Sequence, residues 1–125
     1  MTEQITGINC IFCRAEDPRK RIVKHNCYGE CLEGIGIVMP NGGIAVIDRN
    51  GKPQVGDVVH CTRNAGTLTS YLKRVESIDS EITVGTRYID ASRDFSFIAR
   101  EIFGVLLQVL DRETGAVIWE KDGKQ

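Results

Sequence analysis

From residue 35 onward the apolar positions come in short runs separated by turn-forming residues, the pattern of strands rather than long helices. Residues 43–49 (GIAVIDR) form an apolar strand that stops at Asn50-Gly51, a strong turn dipeptide. Residues 55–62 (VGDVVHCT) read as a second strand, and Asn64-Ala65-Gly66 marks the next turn. Across 67–77, Leu68, Ser70, Leu72 and Arg74 alternate with Thr69, Tyr71, Lys73 and Val75, the period of two that puts successive side chains on opposite faces of a strand. Residues 80–89 are again rich in β-branched side chains. The run 98–111 is long enough for a helix, but Gly104 inside it and its β-branched and aromatic content favour a strand. Thr114-Gly115 is a further turn before a last short strand at 116–120. Closely spaced short strands of this kind predict a mostly β domain, a barrel or a folded sheet.

Residues 1–28 lack that pattern. The charged stretch from Arg14 to Lys24, broken by Pro18, reads as a solvated arm or loop. The expected organisation is an arm over residues 1–22 and one domain over 23–125, without internal repeats. At 125 residues the chain is long enough to bury a core without staples. Sixteen basic residues against 17 acidic ones give a net charge of −1, which argues against a general nucleic-acid or membrane-surface binder. No apolar run approaches the roughly 20 residues that span a bilayer, and the N-terminus carries no charged-then-apolar leader pattern, so a cytoplasmic protein is expected. Five cysteines, an odd number, cannot form a full disulfide framework; in a reducing compartment they are free, metal-bound or catalytic.

Several segments, in order, resemble the self-cleaving peptidase domain of LexA, UmuD and lambda-type phage repressors. Gly29-Glu30-Cys31-Leu32, followed by residues 33–37 (EGIGI), is similar to the Gly-x-Ser-Met motif of that family. Residues 41–48 (NGGIAVID) are similar to its Asp-Gly-Asp strand, and Val55-Gly56-Asp57-Val58-Val59 to its Gly-Asp-Ile-Val-Val strand. Tyr71-Leu72-Lys73-Arg74-Val75 resembles the strand carrying the family's catalytic lysine, and residues 102–109 (IFGVLLQV) its closing strand. The match covers residues 23–120. It implies a strongly bent, mostly β domain of the LexA and signal-peptidase type, which agrees with the strand reading. Two positions depart from the family: Cys31 stands where the serine is expected, and Leu32 replaces the flanking Met.

The resemblance implies Cys31 as nucleophile and Lys73 as base. A lysine takes a proton only when burial disfavours its ammonium form, and Lys73 lies between apolar neighbours on its strand. A thiol is nearer to ionising at neutral pH than a hydroxyl, so cysteine suits the other end of the pair. The resemblance further implies an oxyanion hole made by the main-chain N–H groups of Glu30 and Cys31, with Gly29 permitting the close approach. The family cuts itself at an Ala-Gly or Cys-Gly bond upstream of the nucleophile. Residues 1–30 contain neither, and Ala65-Gly66 lies downstream, so cleavage in cis at the usual place is not expected. The bland readings stand beside these: Cys31 as a small packing residue, Lys73 as a solvated strand lysine, and the fold kept without catalysis as a dimerisation or protein-binding module.

A rival use of the cysteines is zinc. Cys10 and Cys13 form one close pair, Cys27 and Cys31 another, and tetrahedral zinc takes four such ligands, with His25 able to replace a sulfur. Ligation by Cys31 and catalysis by Cys31 exclude each other. Asn9-Cys10-Ile11-Phe12-Cys13 is similar to the opening of histidine-triad nucleotide hydrolases, but His25 and His60 are the chain's only histidines and the required His cluster is absent. Asp57 and Glu76 are read as turn caps or solvent-facing carboxylates. Residues 1–28 are too short and irregular for a helix-turn-helix, so direct DNA binding is not expected. The partners implied are a second copy of the chain, a RecA-type filament, or a phage or host protein, with no membrane.

Overall fold

A computed structural model describes residues 10–11, 21–64, 66, 69–86, 92 and 94–121, with the main chain alone for Cys10, Ile11, Glu30, Cys31 and Thr69. Nine antiparallel strands and one short helix make up these residues: β1 (Cys10–Ile11), β2 (Ile22–Cys27), α1 (Gly29–Glu33), β3 (Gly43–Asp48), β4 (Val58–Thr62), β5 (Thr69–Ile78), β6 (Ile82–Thr86), β7 (Phe95–Ile98), β8 (Glu101–Leu110) and β9 (Val117–Glu120). They form one sheet in the order β2-β3-β8-β4-β5-β6-β7, with β1 added to β5 and β9 added to β8. The mostly β expectation holds at this level.

The long strands organise the sheet. β8 pairs with β3 through Val105–Leu110, with β4 through Glu101–Val105 and with β9 through Gln108–Leu110. β5 pairs with β4 through Tyr71–Arg74, with β6 through Arg74–Ile78 and with β1 through Thr69–Ser70. Each therefore carries two shorter strands in succession along one edge. The run 98–111 resolves as the strand that its Gly and β-branched content favoured, from Glu101 to Leu110.

The alternation of β4 and β5 divides the core in two. Val58, Leu72 and Leu106 face one side with Val23 of β2, Leu32 of α1 and Ile47 of β3. Val59, Cys61, Val75 and Val105 face the other with Val84 of β6 and Phe97 of β7. The central strands are thus buried on both faces, and β4 is buried at all five positions. Each large aliphatic side chain removed from water in this way contributes about 1.5–3 kcal/mol. α1 and the segment after it close the first face: Ile35 and Ile37 both donate to the Leu32 carbonyl, and Gly36 supplies the positive φ of 90° that ends the helix.

Two boundaries differ from the sequence reading. β4 begins at Val58, because Gly56 at φ 96° and Asp57 close a turn first: Gln54 N donates to Asp57 Oδ2 at 2.9 Å. Within residues 1–28, read as an arm or loop, β2 is a strand paired with β3 along its whole length. Its inward positions are Val23, His25 and Cys27, of which Val23 alone is strongly apolar, while Lys24 and Asn26 point out; the period of two was masked by polar residue types.

Beside β2, Arg21 donates Nε and Nη2 to the two carboxylate oxygens of Asp48 at 2.9 and 3.0 Å. These hydrogen bonds hold the Asp48 carboxyl below its ordinary range. A carboxyl depressed in the folded state stabilises the fold above its unfolded value of about 4, and that contribution disappears as pH falls through the folded value. Asp48→Asn is therefore expected to lose less stability than wild type between about pH 7 and pH 3, read from urea midpoints. Equal losses in the two proteins would contradict the linkage.

Candidate functional site

Lys73 sits at the middle of β5 with 1% of its surface exposed, the largest fully buried side chain described. The alternation of the strand turns it to the second core face, opposite Leu72. There its Nζ lies 4.4 Å from the Phe95 ring centroid and 5.2 Å from that of Tyr71. Cys61, one strand over, shares this environment. Burial pushes its thiol up to about 12, and the nearby Lys73 charge pulls weakly the other way. Lys73 is thus not a solvated strand lysine. Ring faces return about 0.5–2 kcal/mol to an ammonium, whereas removing that ammonium from water costs several.

α1 packs against β5, with Leu32 in the same core cluster as Leu72. The side chains of Glu30 and Cys31 lie outside the described residues. The first bond of the helix type runs from Leu32 N to Tyr28 O at 3.2 Å, so the N–H groups of Glu30 and Cys31 precede it, as donors at a helix start do. The β5 side chains that reach the segment around α1 are Leu72, in the core beside Leu32, and Arg74, whose Nη2 donates to Ile35 O at 2.7 Å. Gly29 has a role beyond the one expected. A Cβ there would stand 2.6 Å from Pro40 O and 2.8 Å from Met39 O, so glycine lets the 39–40 loop lie against the helix start.

The other sequence candidates separate. Cys10 stands opposite Ser70 in the β1–β5 register, Cys27 is fully buried at the end of β2, and Cys13 lies outside the described residues, as does Ala65. Among the described residues no group of three or more His, Cys, Asp or Glu side chains is gathered as a metal would need. Asp57 caps its turn, as expected, and lies 3.7 Å from Lys121 Nζ. Glu76 accepts from Ser96 Oγ at 2.9 Å and lines a cleft of about 490 Å³ with Arg74, Gly34, Gly36 and Gly85.

One polar constellation escaped the sequence reading. His60 and Ser70, 5% and 2% exposed, approach at 2.8 Å between Nε2 and Oγ. The His60 ring rests 4.8 Å from Phe103 and 5.9 Å from His25, centroid to centroid. His60 pairs with Leu72, so Ser70, two residues before Leu72, lies diagonal to His60 on the same face, a placement set by strand register.

Among the described residues no helix is long and apolar enough to cross a membrane. No family model, curated protein or solved structure matches this chain.

Proposed function

We propose that this chain is a peptidase-like domain of the LexA and UmuD kind, with Cys31 attacking a peptide carbonyl and Lys73 as its proton acceptor. The observation that supports it is a lysine 1% exposed at the middle of β5, the strand against which α1 lies on its opposite, Leu72 face. The chemistry requires an amine that takes up the thiol's proton, and Lys73 is the amine on the strand that resembles the family's lysine strand. The resulting ammonium then returns that proton to the leaving amine, and the Glu30 and Cys31 N–H groups receive the negative charge on the carbonyl oxygen. The substrate is a peptide in trans. The partners of such a domain are a second copy of itself and a RecA-type filament or another phage or host protein.

Reactivity toward iodoacetamide tests the pair. Cys61, its thiol at about 12 and fully buried, is expected to label hardly at all in the native protein near pH 8. Cys31 is expected to label faster than every other cysteine, and to slow about tenfold in Lys73→Met. Peptide mapping by mass spectrometry reads each site. A Cys31 rate equal to that of the other thiols, or indifferent to Lys73, would remove the activated nucleophile. Incubation with and without RecA filament, followed by intact mass, tests cleavage itself.

A second reading has its own support. Lys73 is turned to the Phe95 face, while Leu72 and Arg74 face the segment around α1. That orientation favours a module of the same fold used for dimerisation or protein binding without catalysis. In that case Lys73→Met leaves thiol reactivity and association, measured by size exclusion, unchanged. Zinc held by Cys10, Cys13, Cys27 and Cys31 is decided separately by elemental analysis, at about one metal per chain.

A further inference from the structure

We propose that the cleft between the segment after α1 and the β5–β6 pair binds a free α-amino acid, with its carboxylate on Arg74 and its ammonium on Glu76. The cleft, of about 490 Å³, falls within the range of about 300–1,000 Å³ typical of small-molecule sites. It holds one basic and one acidic side chain, Arg74 and Glu76, and the rest of its lining is Ile35 and glycine. Each charge is held in place by bonds of its own. Arg74 donates Nη1 to Gly56 O at 2.9 Å and Nη2 to Ile35 O at 2.7 Å, which ties it to the turn before β4 and to the chain after α1. Glu76 accepts from Ser96 Oγ of β7 at 2.9 Å, and its Oε2 lies over Gly85, so close that a Cβ there would clash with it. Among the described residues Arg74 forms no ion pair, with Glu76 or with any other carboxylate.

Two opposite charges fixed apart in one cleft select their ligand. A lone anion at Arg74 faces the Glu76 carboxylate, and a lone cation at Glu76 faces the guanidinium, so one wall opposes each. A molecule that carries both charges is attracted by both. The spacing sets its size. Arg74 and Glu76 are two residues apart on β5, so their stems start at most about 7 Å apart. That suits an ammonium and a carboxylate on one carbon, bonded at about 2.8 Å at each end, whereas a dipeptide sets them about 3.5 Å further apart. A guanidinium has five N–H groups, and the two bonds to carbonyls leave donors for a carboxylate. The main-chain N–H groups of Ile35, Gly36 and Ile37 already donate to Leu32 and Glu33, so Arg74 is the donor that the ligand meets. Gly36, where a Cβ would meet nothing within 4 Å, leaves space for the ligand's side chain. The site does not depend on the peptidase reading, since neither Cys31 nor Lys73 lines it.

The test titrates the full-length chain with each of the common L-amino acids by isothermal titration calorimetry. At least one is expected to bind with a Kd of about 0.1–1 mM, at about one per chain. Its N-acetyl derivative lacks the ammonium and its amide lacks the carboxylate, and each is expected to bind about tenfold or more weakly, as is the dipeptide made from it. These ligand changes leave the protein intact, so the test stands whether or not a variant of Arg74, which gives up two main-chain contacts, still folds. Glu76→Gln keeps an acceptor for Ser96 and removes the charge, so it is expected to abolish the preference for the amino acid over its N-acetyl derivative. Gly85→Ala moves the end of a flexible side chain rather than main chain, and is expected to weaken binding about tenfold while the protein stays folded. No binding of any amino acid at about 10 mM, acetate or the N-acetyl derivative binding as tightly as the amino acid, a dipeptide that binds as tightly, or affinities indifferent to both substitutions would overturn the proposal.

Discussion

Lys73→Met is expected to unfold at or above the wild-type temperature while any peptide-bond cleavage falls to background. Methionine matches the length and apolar stem of lysine, so the cavity between Phe95, Tyr71 and Cys61 stays filled. What changes is the amine. Its burial costs several kcal/mol as an ion, of which the rings at 4.4 and 5.2 Å return about 0.5–2. Replacement of buried charge by a well-packed apolar side chain is commonly neutral or stabilising by about 1–4 kcal/mol. A group kept at such cost is a mark of function, and its loss should be felt in chemistry before it is felt in the fold. Thermal melts and intact-mass assays on the same preparation decide it. A methionine variant destabilised by about 3 kcal/mol or more would show that the amine anchors the second core face through its polar contacts. A variant that cleaves as wild type does would end the role of Lys73 as base.

Gly104→Val should be among the most damaging single changes in the chain. A Cβ at this position would stand 2.5 Å from Ile47 Cγ2, 2.7 Å from Asp48 O and 3.1 Å from Arg49 Cα. Two of those atoms belong to main chain and cannot swing aside. Gly104 also pairs with His60, just where the β4–β8 register shifts, so the β8 backbone is held from both edges. Overpacking of this kind costs about 1–3 kcal/mol, and more where backbone must move. We expect a loss of about 3 kcal/mol or more in urea unfolding, or failure to accumulate folded protein. A valine variant within about 0.5 kcal/mol of wild type would mean that β3 and β8 separate easily at this point.

The parts of the fold legible in the sequence are those where residue type and position agree. Residues 43–49 are apolar and end at Asn50-Gly51, and β3 ends at Asp48. The alternation across 67–77 predicts Leu72 and Lys73 on opposite faces, as observed. β2 was hidden because a buried strand position is defined by neighbours rather than polarity: His25 and Cys27 face inward beside Val23. β7 was hidden because Phe95 and Phe97 follow a run with no alternation of its own. At the site, the lysine of the family-like strand proved buried, a property its charge argues against. Gly29 was read as permitting the close approach of an oxyanion hole; the Met39 and Pro40 carbonyls beside it are a further demand for glycine that no local pattern shows. The His60–Ser70 contact depends on the register of two strands, which no local pattern specifies.

The pairing of β8 with β3, β4 and β9 has a consequence for how the molecule comes into being. A ribosome delivers β3 and β4 well before residues 101–110, so the two strands must wait, side by side in neither sheet nor solvent-proof cluster, for the piece that lies between them. Folding is then governed by the arrival of β8, and a polypeptide stalled before Glu101 would offer a chaperone two exposed apolar edges.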